Sequence, residues 1–327
     1  MTSTPPFSDH MSLPVIAAPM FLISGPKLVT ECCRHGVVGT FPALNQRTTE
    51  GFEEWLVEIR KDLDRFEAES GRKAAPYGVN LIVHRTNPRV EADLEVIVRH
   101  RVPLVITSLG AVAELVDAVH SYGGLVYHDV TNRRHAEKAA SAGVDGLICV
   151  AAGAGGHAGT LNPMPFLAEM RSFFDGTLLL SGCMSNGRDV ASALQMGADL
   201  AYLGTRFINT AESRADEAYR QMIVDSKVAD IVYTAAISGV PANFLRPSLE
   251  AMGITEEVWA SKAKIDFGKE LDAAQAEAKA WKTVWSAGQG VTTIDDVLST
   301  AELVARLRTE FVAALEEQAG RLDRYSA

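Results

Sequence analysis

Short apolar runs rich in β-branched residues punctuate the chain: PVIAA (Pro14–Ala18), VVGTF (Val37–Phe41), YGVNLIV (Tyr77–Val83) and PLVIT (Pro103–Thr107). Four more follow at LVYH (Leu125–His128), GLICVA (Gly146–Ala151), TLLLS (Thr177–Ser181) and LAYLG (Leu200–Gly204). Each is too short for a helix and apolar on both faces, which is the pattern of buried parallel strands. Between them, residues 88–100, 111–122, 133–142 and 187–196 carry apolar positions at helical spacing, and Gly123, Gly143 and Gly197 stand at predicted helix ends. Eight strands, each followed by helix-compatible sequence, predict an α/β fold of the (β/α)8 TIM-barrel type.

After Thr210 the rhythm changes. Residues 212–282 show no convincing strand and read as helices with loops, including the charged run KIDFGKELDAAQAEAKAWK at 264–282, a solvated helical face. A glycine-rich turn, WSAGQG (Trp285–Gly290), precedes an amphipathic helix at about Ser299–Leu322. The expected organisation is a barrel over 10–211, a mostly helical lid or second domain over 212–290, and a C-terminal segment 291–327 whose helix returns to the barrel.

Composition narrows the function. With 47% hydrophobic and 22% charged residues the chain is of the globular class. A net charge of −10 argues against a nucleic-acid surface but not against a local phosphate site built from backbone N–H groups. No apolar run reaches the ~18 residues of a membrane span, and MTSTPPFSDH does not read as a signal peptide. Cys32, Cys33, Cys149 and Cys183 form no CxxC pair, so neither a zinc site nor a disulfide framework is expected, and a reducing, cytoplasmic setting fits.

Candidate chemistry gathers where barrel strands end. Strand seven runs into SGCMSNG (Ser181–Gly187) and strand eight into GTRF (Gly204–Phe207), the two positions at which barrels commonly hold a phosphate. Ser181 and Thr205 add hydroxyl donors. Strand six runs into AAGAGGHAGT (Ala151–Thr160). Gly153, Gly155 and Ala158 match the dinucleotide fingerprint formally, but Pro163 and Pro165 delay any helix, and the fingerprint belongs to a first βα turn. A flexible loop presenting His157 to a flat ligand fits better. The remaining histidines lie in predicted helices, loops or the tail, except His128, which ends strand five and faces the mouth or the core. No metal-ligand motif, nucleophile elbow or Walker loop is present. So few reactive side chains imply that a cofactor, such as a phosphate-bearing flavin, carries the chemistry.

Taken in order, APM after strand one, GVNL in strand three, GGHAG, SGCMSNG, GADLAYLGTRF and WSAGQG resemble the nitronate monooxygenase family, FMN-dependent barrels related to NADH:quinone reductases and flavin-dependent enoyl-ACP reductases. The resemblance runs from about residue 13 to residue 322. It implies FMN as cofactor, with Pro19, Met20 and Phe21 under the flavin ring, Asn80 as its amide partner, Thr86 near the cofactor and Gly156 giving backbone room. Ser181, Gly182 and Cys183, with Gly204 and Thr205, would hold the FMN phosphate. His157 matches the catalytic histidine, and Gln289 borders the site. Two departures stand out: relatives carry two glycines where this chain has Gly182-Cys183, and some carry Lys where Asp129 stands. The implied reaction is oxidation of alkyl nitronates by O2 to carbonyl compounds and nitrite, with His157 hydrogen-bonding the nitro group or removing the α-proton. The alternative is NAD(P)H-dependent reduction of quinones or enoyl thioesters. The partners expected are therefore a small-molecule substrate and O2, with NAD(P)H or a quinone under the alternative, no nucleic acid and no membrane; a homo-oligomer is left open.

Overall fold

The computed structural model describes residues 6–110, 112–237, 239–260 and 284–325. The run at 264–282 lies outside the described residues. Eight parallel strands close into a barrel: β1 (Val15–Ala17), β2 (Val38–Pro42), β3 (Tyr77–Ile82), β4 (Leu104–Ser108), β5 (Leu125–Val130), β6 (Gly146–Val150), β8 (Thr177–Ser181) and β9 (Leu200–Leu203), which pairs back with β1. All eight predicted strands are present, within one or two residues of their expected ends. Along each strand, alternate residues face opposite ways. Ile16, Leu104, Ile106, Tyr127, Ile148, Leu179, Leu200 and Tyr202 fill the interior, while Val15, Val79, Val105, Val126 and Leu147 face the helical shell. Burial on both faces is why these segments read as continuous apolar runs.

The shell helices are α1 (Pro26–Arg34), α2 (Thr49–Ser70), α3 (Val90–Arg99), α4 (Ala113–His120), α5 (Arg133–Ser141), α6 (Pro163–Arg171) and α7 (Gly187–Gln195). Helix α2, which the sequence reading did not anticipate, buries Phe52, Leu56, Ile59 and Leu63; Thr48 caps its N-terminus through the Gly51 N–H, and Gly71 (φ +67°) ends it. Helix α6 begins at Pro163 itself. Proline suits a first helical position because its missing N–H has no partner there, and Asn162 caps from outside. The eighth shell position is taken by the last helix, Thr300–Tyr325, which packs on α7 and α1. Contact with α7 is close: a Cβ on Gly187 would lie 2.1 Å from Leu307 O and 2.3 Å from Phe311 N.

The region after residue 211 differs from the expectation of helices alone. Beside α9 (Glu217–Asp225), α10 (Arg246–Ala251) and α11 (Glu256–Trp259), it contains two strands, β10 (Ile231–Thr234) and β11 (Ala242–Leu245). They pair antiparallel, and β11 also pairs with the two-residue β7 (Gly156–His157) from the loop after β6. This three-stranded sheet roofs one side of the barrel mouth. No described helix is long and apolar enough to cross a membrane.

Candidate active site

The loops after β6, β8 and β9 meet the WSAGQG turn at the barrel mouth. The Gly288 N–H donates to Thr205 Oγ1 at 2.9 Å, and the Gln289 N–H donates to Gly153 O at 2.8 Å. Cys183 Sγ lies 3.8 Å from Gln289 Oε1 and 3.4 Å from Ala152 O. There is no spare room between them: a Cβ on Gly153 would stand 2.4 Å from Cys183 Sγ, and one on Gly155 would stand 2.9 Å from the Gly288 N. On its other side the turn is held by the outer layer. Trp285 stacks on Tyr219 with ring centroids 4.9 Å apart, its N–H donates to Ser248 Oγ, and its carbonyl accepts from Leu245.

The loop after β8 has the geometry of an anion cradle. Gly182 (φ +126°) and Cys183 (φ +62°) turn the backbone through the left-handed region, and the N–H groups of Gly182, Cys183 and Met184 make no hydrogen bond among the described residues. The same holds for the N–H groups of Gly204 and Thr205 on the facing loop. Successive unpaired N–H groups attract anions without any net positive charge. A Cβ on Gly204 would meet only ordinary contacts, Ala18 at 3.7 Å and Met20 Sδ at 3.9 Å, so space is open beside the cradle. Asp189 braces the loop by accepting the N–H groups of Ser185 and Asn186. Burial and then the Asp189 charge push the Cys183 thiol above its ordinary pKa, which keeps it a neutral thiol and leaves its backbone as the useful part.

Met20 follows β1 in a half-buried turn with Pro19 and Phe21, and it reaches the Gly204 side of the mouth. Asn45, a residue the sequence did not flag, fixes that turn by donating to Met20 O and Ser24 O while accepting from the Leu22 N–H. Asn80 is buried on β3, where Nδ2 donates to Ile106 O at 3.2 Å and Ser108 Oγ at 2.8 Å. Ser181 is half-buried at the end of β8. Thr86 stands apart from these residues: it is exposed between β3 and α3, with its Oγ1 2.8 Å from His84 Nδ1.

Gly156 (φ +69°) and the exposed His157 form β7, opposite Asn243 and Ala242. The loop carrying them is tied down by Asn243 Nδ2 donating to Ala154 O at 2.7 Å and by Tyr233 Oη donating to Ala158 O at 3.1 Å. Both donors come from the strands that sequence reasoning missed. His128 is now assigned: neighbours Tyr127 and Asp129 face inward, so its ring faces the helical shell, buried, with Nδ1 2.7 Å from Thr107 Oγ1. Burial lowers its pKa to about 4, so it is a neutral structural group. Among the described residues no cluster of three metal-ligating side chains exists.

The family model for nitronate monooxygenase matches residues 44–310. The chain belongs to the nitronate monooxygenase family. It is similar to a nitronate monooxygenase of Paraburkholderia phytofirmans, 27% identical with 93% of each chain covered. Among solved structures it is similar to nitroalkane oxidase from Streptomyces ansochromogenes, with a TM-score of 0.77, 25% identity and 95% and 99% of the two chains covered. FabK from Thermotoga maritima shares the fold, with a TM-score of 0.80, 22% identity and 98% and 99% coverage. Another relative, the (3aS,4S,5R,7aS)-5-hydroxy-7a-methyl-1-oxo-octahydro-1H-indene-4-carboxyl-CoA dehydrogenase of Rhodococcus jostii, is 25% identical over 72% of this chain and 63% of its own length. As a nitronate monooxygenase family member the chain is an oxidoreductase of a flavin-enzyme family.

Proposed function

We propose that this chain is an FMN-dependent nitronate monooxygenase that oxidises alkyl nitronates with O2 to carbonyl compounds and nitrite. The observation that carries the reading is the pair of facing loops whose N–H groups at Gly182, Cys183, Gly204 and Thr205 have no partner among the described residues, beside an exposed imidazole on the adjoining loop. A single terminal phosphate fits such a cradle, which favours FMN over a dinucleotide. In this reading residues 10–211 and 291–327 form the cofactor barrel, and 212–290 form the substrate-side layer.

FMN, when bound, would supply the redox chemistry that links nitronate oxidation to O2 reduction. The protein's part is placement. The N–H groups of Gly182, Cys183, Gly204 and Thr205 would hold the phosphate, Met20 and its neighbours would support the ring, and Asn80 would offer it an amide. His157 at Nδ1 or Nε2 hydrogen-bonds the substrate's nitro oxygens, or accepts the α-proton when the substrate arrives as a neutral nitroalkane. The sheet of β7, β10 and β11 shields that proton transfer from bulk water on one side.

The test is anaerobic and aerobic spectroscopy of the purified protein. Release of FMN on denaturation, with nitronate driving O2 uptake, supports the reading. A colourless protein that FMN cannot reconstitute refutes it. Bleaching of the flavin by NAD(P)H, with no response to nitronate, would establish the reductase instead; the Rhodococcus relative, named for a carboxyl-CoA substrate, makes a thioester the first acceptor to try.

A further inference from the structure

Inward-facing side chains on three consecutive strands form a hydrogen-bonded row along one side of the mouth. Asn80 on β3 donates to Ser108 Oγ on β4 at 2.8 Å, and Ser108 donates to Asp129 Oδ2 on β5 at 2.6 Å. The order of donors and acceptors is fixed by chemistry. An amide NH2 and a hydroxyl donate and a carboxylate accepts, so the row ends on an ionisable group. The other inward-facing positions are mostly apolar or aromatic, among them Ile16, Ile148, Val150, Leu179 and Tyr202, with Thr40 and Ser181 adding hydroxyls. A flat ligand lying over this mouth meets its polar edge at Asn80, Ser108 and Asp129.

The carboxyl at the end of the row is electrostatically isolated. Desolvation raises the Asp129 pKa to about 6 while the Ser108 hydrogen bond pulls it down, and no described basic side chain contributes. Tyr202, facing it from β9, is the titratable group that feels its charge. From β6 the neighbours are Ile148 and Val150; His128, with His135 and Lys138 nearby, belongs to the shell side, and His157 rides on the loop after β6.

We propose that Asp129 is a redox-tuning residue, whose negative charge disfavours reduced, anionic flavin over the neutral oxidised ring and whose protonated form removes that bias. The inference rests on the FMN reading above. Because Ser108 holds one carboxyl oxygen, the charge keeps a fixed position at the polar edge of the mouth, and Asp129 acts through electrostatics on the cofactor without touching the substrate.

The experiment is the reduction potential of the FMN-loaded protein from pH 5 to pH 9, for wild type, Asp129→Asn and Ser108→Ala. Asn keeps an acceptor oxygen for Ser108 and removes the charge. At pH 8, Asp129→Asn is expected to raise the preference for reduced over oxidised FMN about tenfold, about 30 mV for a two-electron couple, and to change it less than twofold at pH 5. Wild type is expected to show a bend near pH 6 beyond the one that the flavin's own ionisation gives Asp129→Asn, and Ser108→Ala moves that bend upward, because the hydroxyl that favours the ionised form is gone. Should Asp129→Asn fail to fold, the wild-type bend and its displacement in Ser108→Ala still decide the matter. Equal potentials in wild type and Asp129→Asn at pH 8, or a bend unmoved in Ser108→Ala, overturn the inference alone. A protein that takes up no FMN overturns the functional reading together with it.

Discussion

Replacing Gly153 by Ala tests whether the loops at the mouth form one packed unit. Gly153 has φ +80°, and its Cβ would stand 2.4 Å from Cys183 Sγ and 2.7 Å from Gln289 Oε1. A left-handed conformation costs a residue with a Cβ roughly 1–2 kcal/mol. Overpacking a tight site by one methyl costs about 1–3 kcal/mol more. The sum is about 2–5 kcal/mol, and if the loops relieve it by parting, FMN affinity falls roughly thirtyfold or more. The assay is FMN binding by fluorescence quenching, with melting temperature measured alongside. The two contributions separate in a double variant. Cys183→Gly removes the closer clash at a position whose own φ of +62° suits glycine, so Gly153→Ala/Cys183→Gly should recover the packing part and keep the conformational part. The reasoning is refuted if Gly153→Ala binds FMN within threefold of wild type and melts with it, or if the double variant is no better than the single one.

Three further outcomes are expected. His157→Asn should lower turnover ~10²–10⁴-fold on neutral nitroalkanes, much less on nitronates that are already deprotonated, and leave FMN bound; equal losses on both substrate forms would remove the imidazole from proton transfer. Gly187→Ala drives a methyl into the backbone of the last helix at Leu307 and Phe311, so it should destabilise by about 3 kcal/mol and lower the melting temperature by about 5 °C or more; an unchanged melt contradicts the close approach. Because the buried His128 resists protonation down to about pH 4 whereas the unfolded chain accepts a proton near ~6.5, its contribution to stability should be full above pH ~6.5, fall by about 3 kcal/mol between there and pH ~4, and level off below. In His128→Gln, urea titrations across that range should lose this component, and an unaltered pH dependence counts against the assignment.

The barrel was legible because each of its strands is buried on both faces, which leaves a compact apolar run such as TLLLS that no surface helix produces. The loops at the mouth were legible for a related reason: glycines directly after such runs mark where the strands end. Other elements left weaker traces. Helix α2 carries Phe52, Leu56, Ile59 and Leu63 at helical spacing, but a dense run of Glu, Lys, Arg and Asp surrounds them, and the stripe was present without being read. Strands β10 and β11 are four residues each, and their partners lie either beyond an intervening turn or about 85 positions away at Gly156–His157; no local period announces such a pairing. The row from Asn80 to Asp129 was invisible for the same reason, since a Ser and an Asp 21 positions apart become neighbours only when the barrel closes.

The attachment of β7 to β11 divides responsibility for the reaction in an unexpected place. The proposed FMN cradle belongs to the barrel, but His157 hangs from a sheet whose other two strands come from the region after residue 211. On the proposed function, the group that would handle the substrate's proton and the layer that would shape the substrate's surroundings are thus parts of one inheritable module. Exchanging residues 231–245 between family members would change which molecule is admitted and where its proton is met in a single step, while the cofactor site stayed as it was. A barrel divided in this way can acquire new substrates without relearning how to hold its flavin.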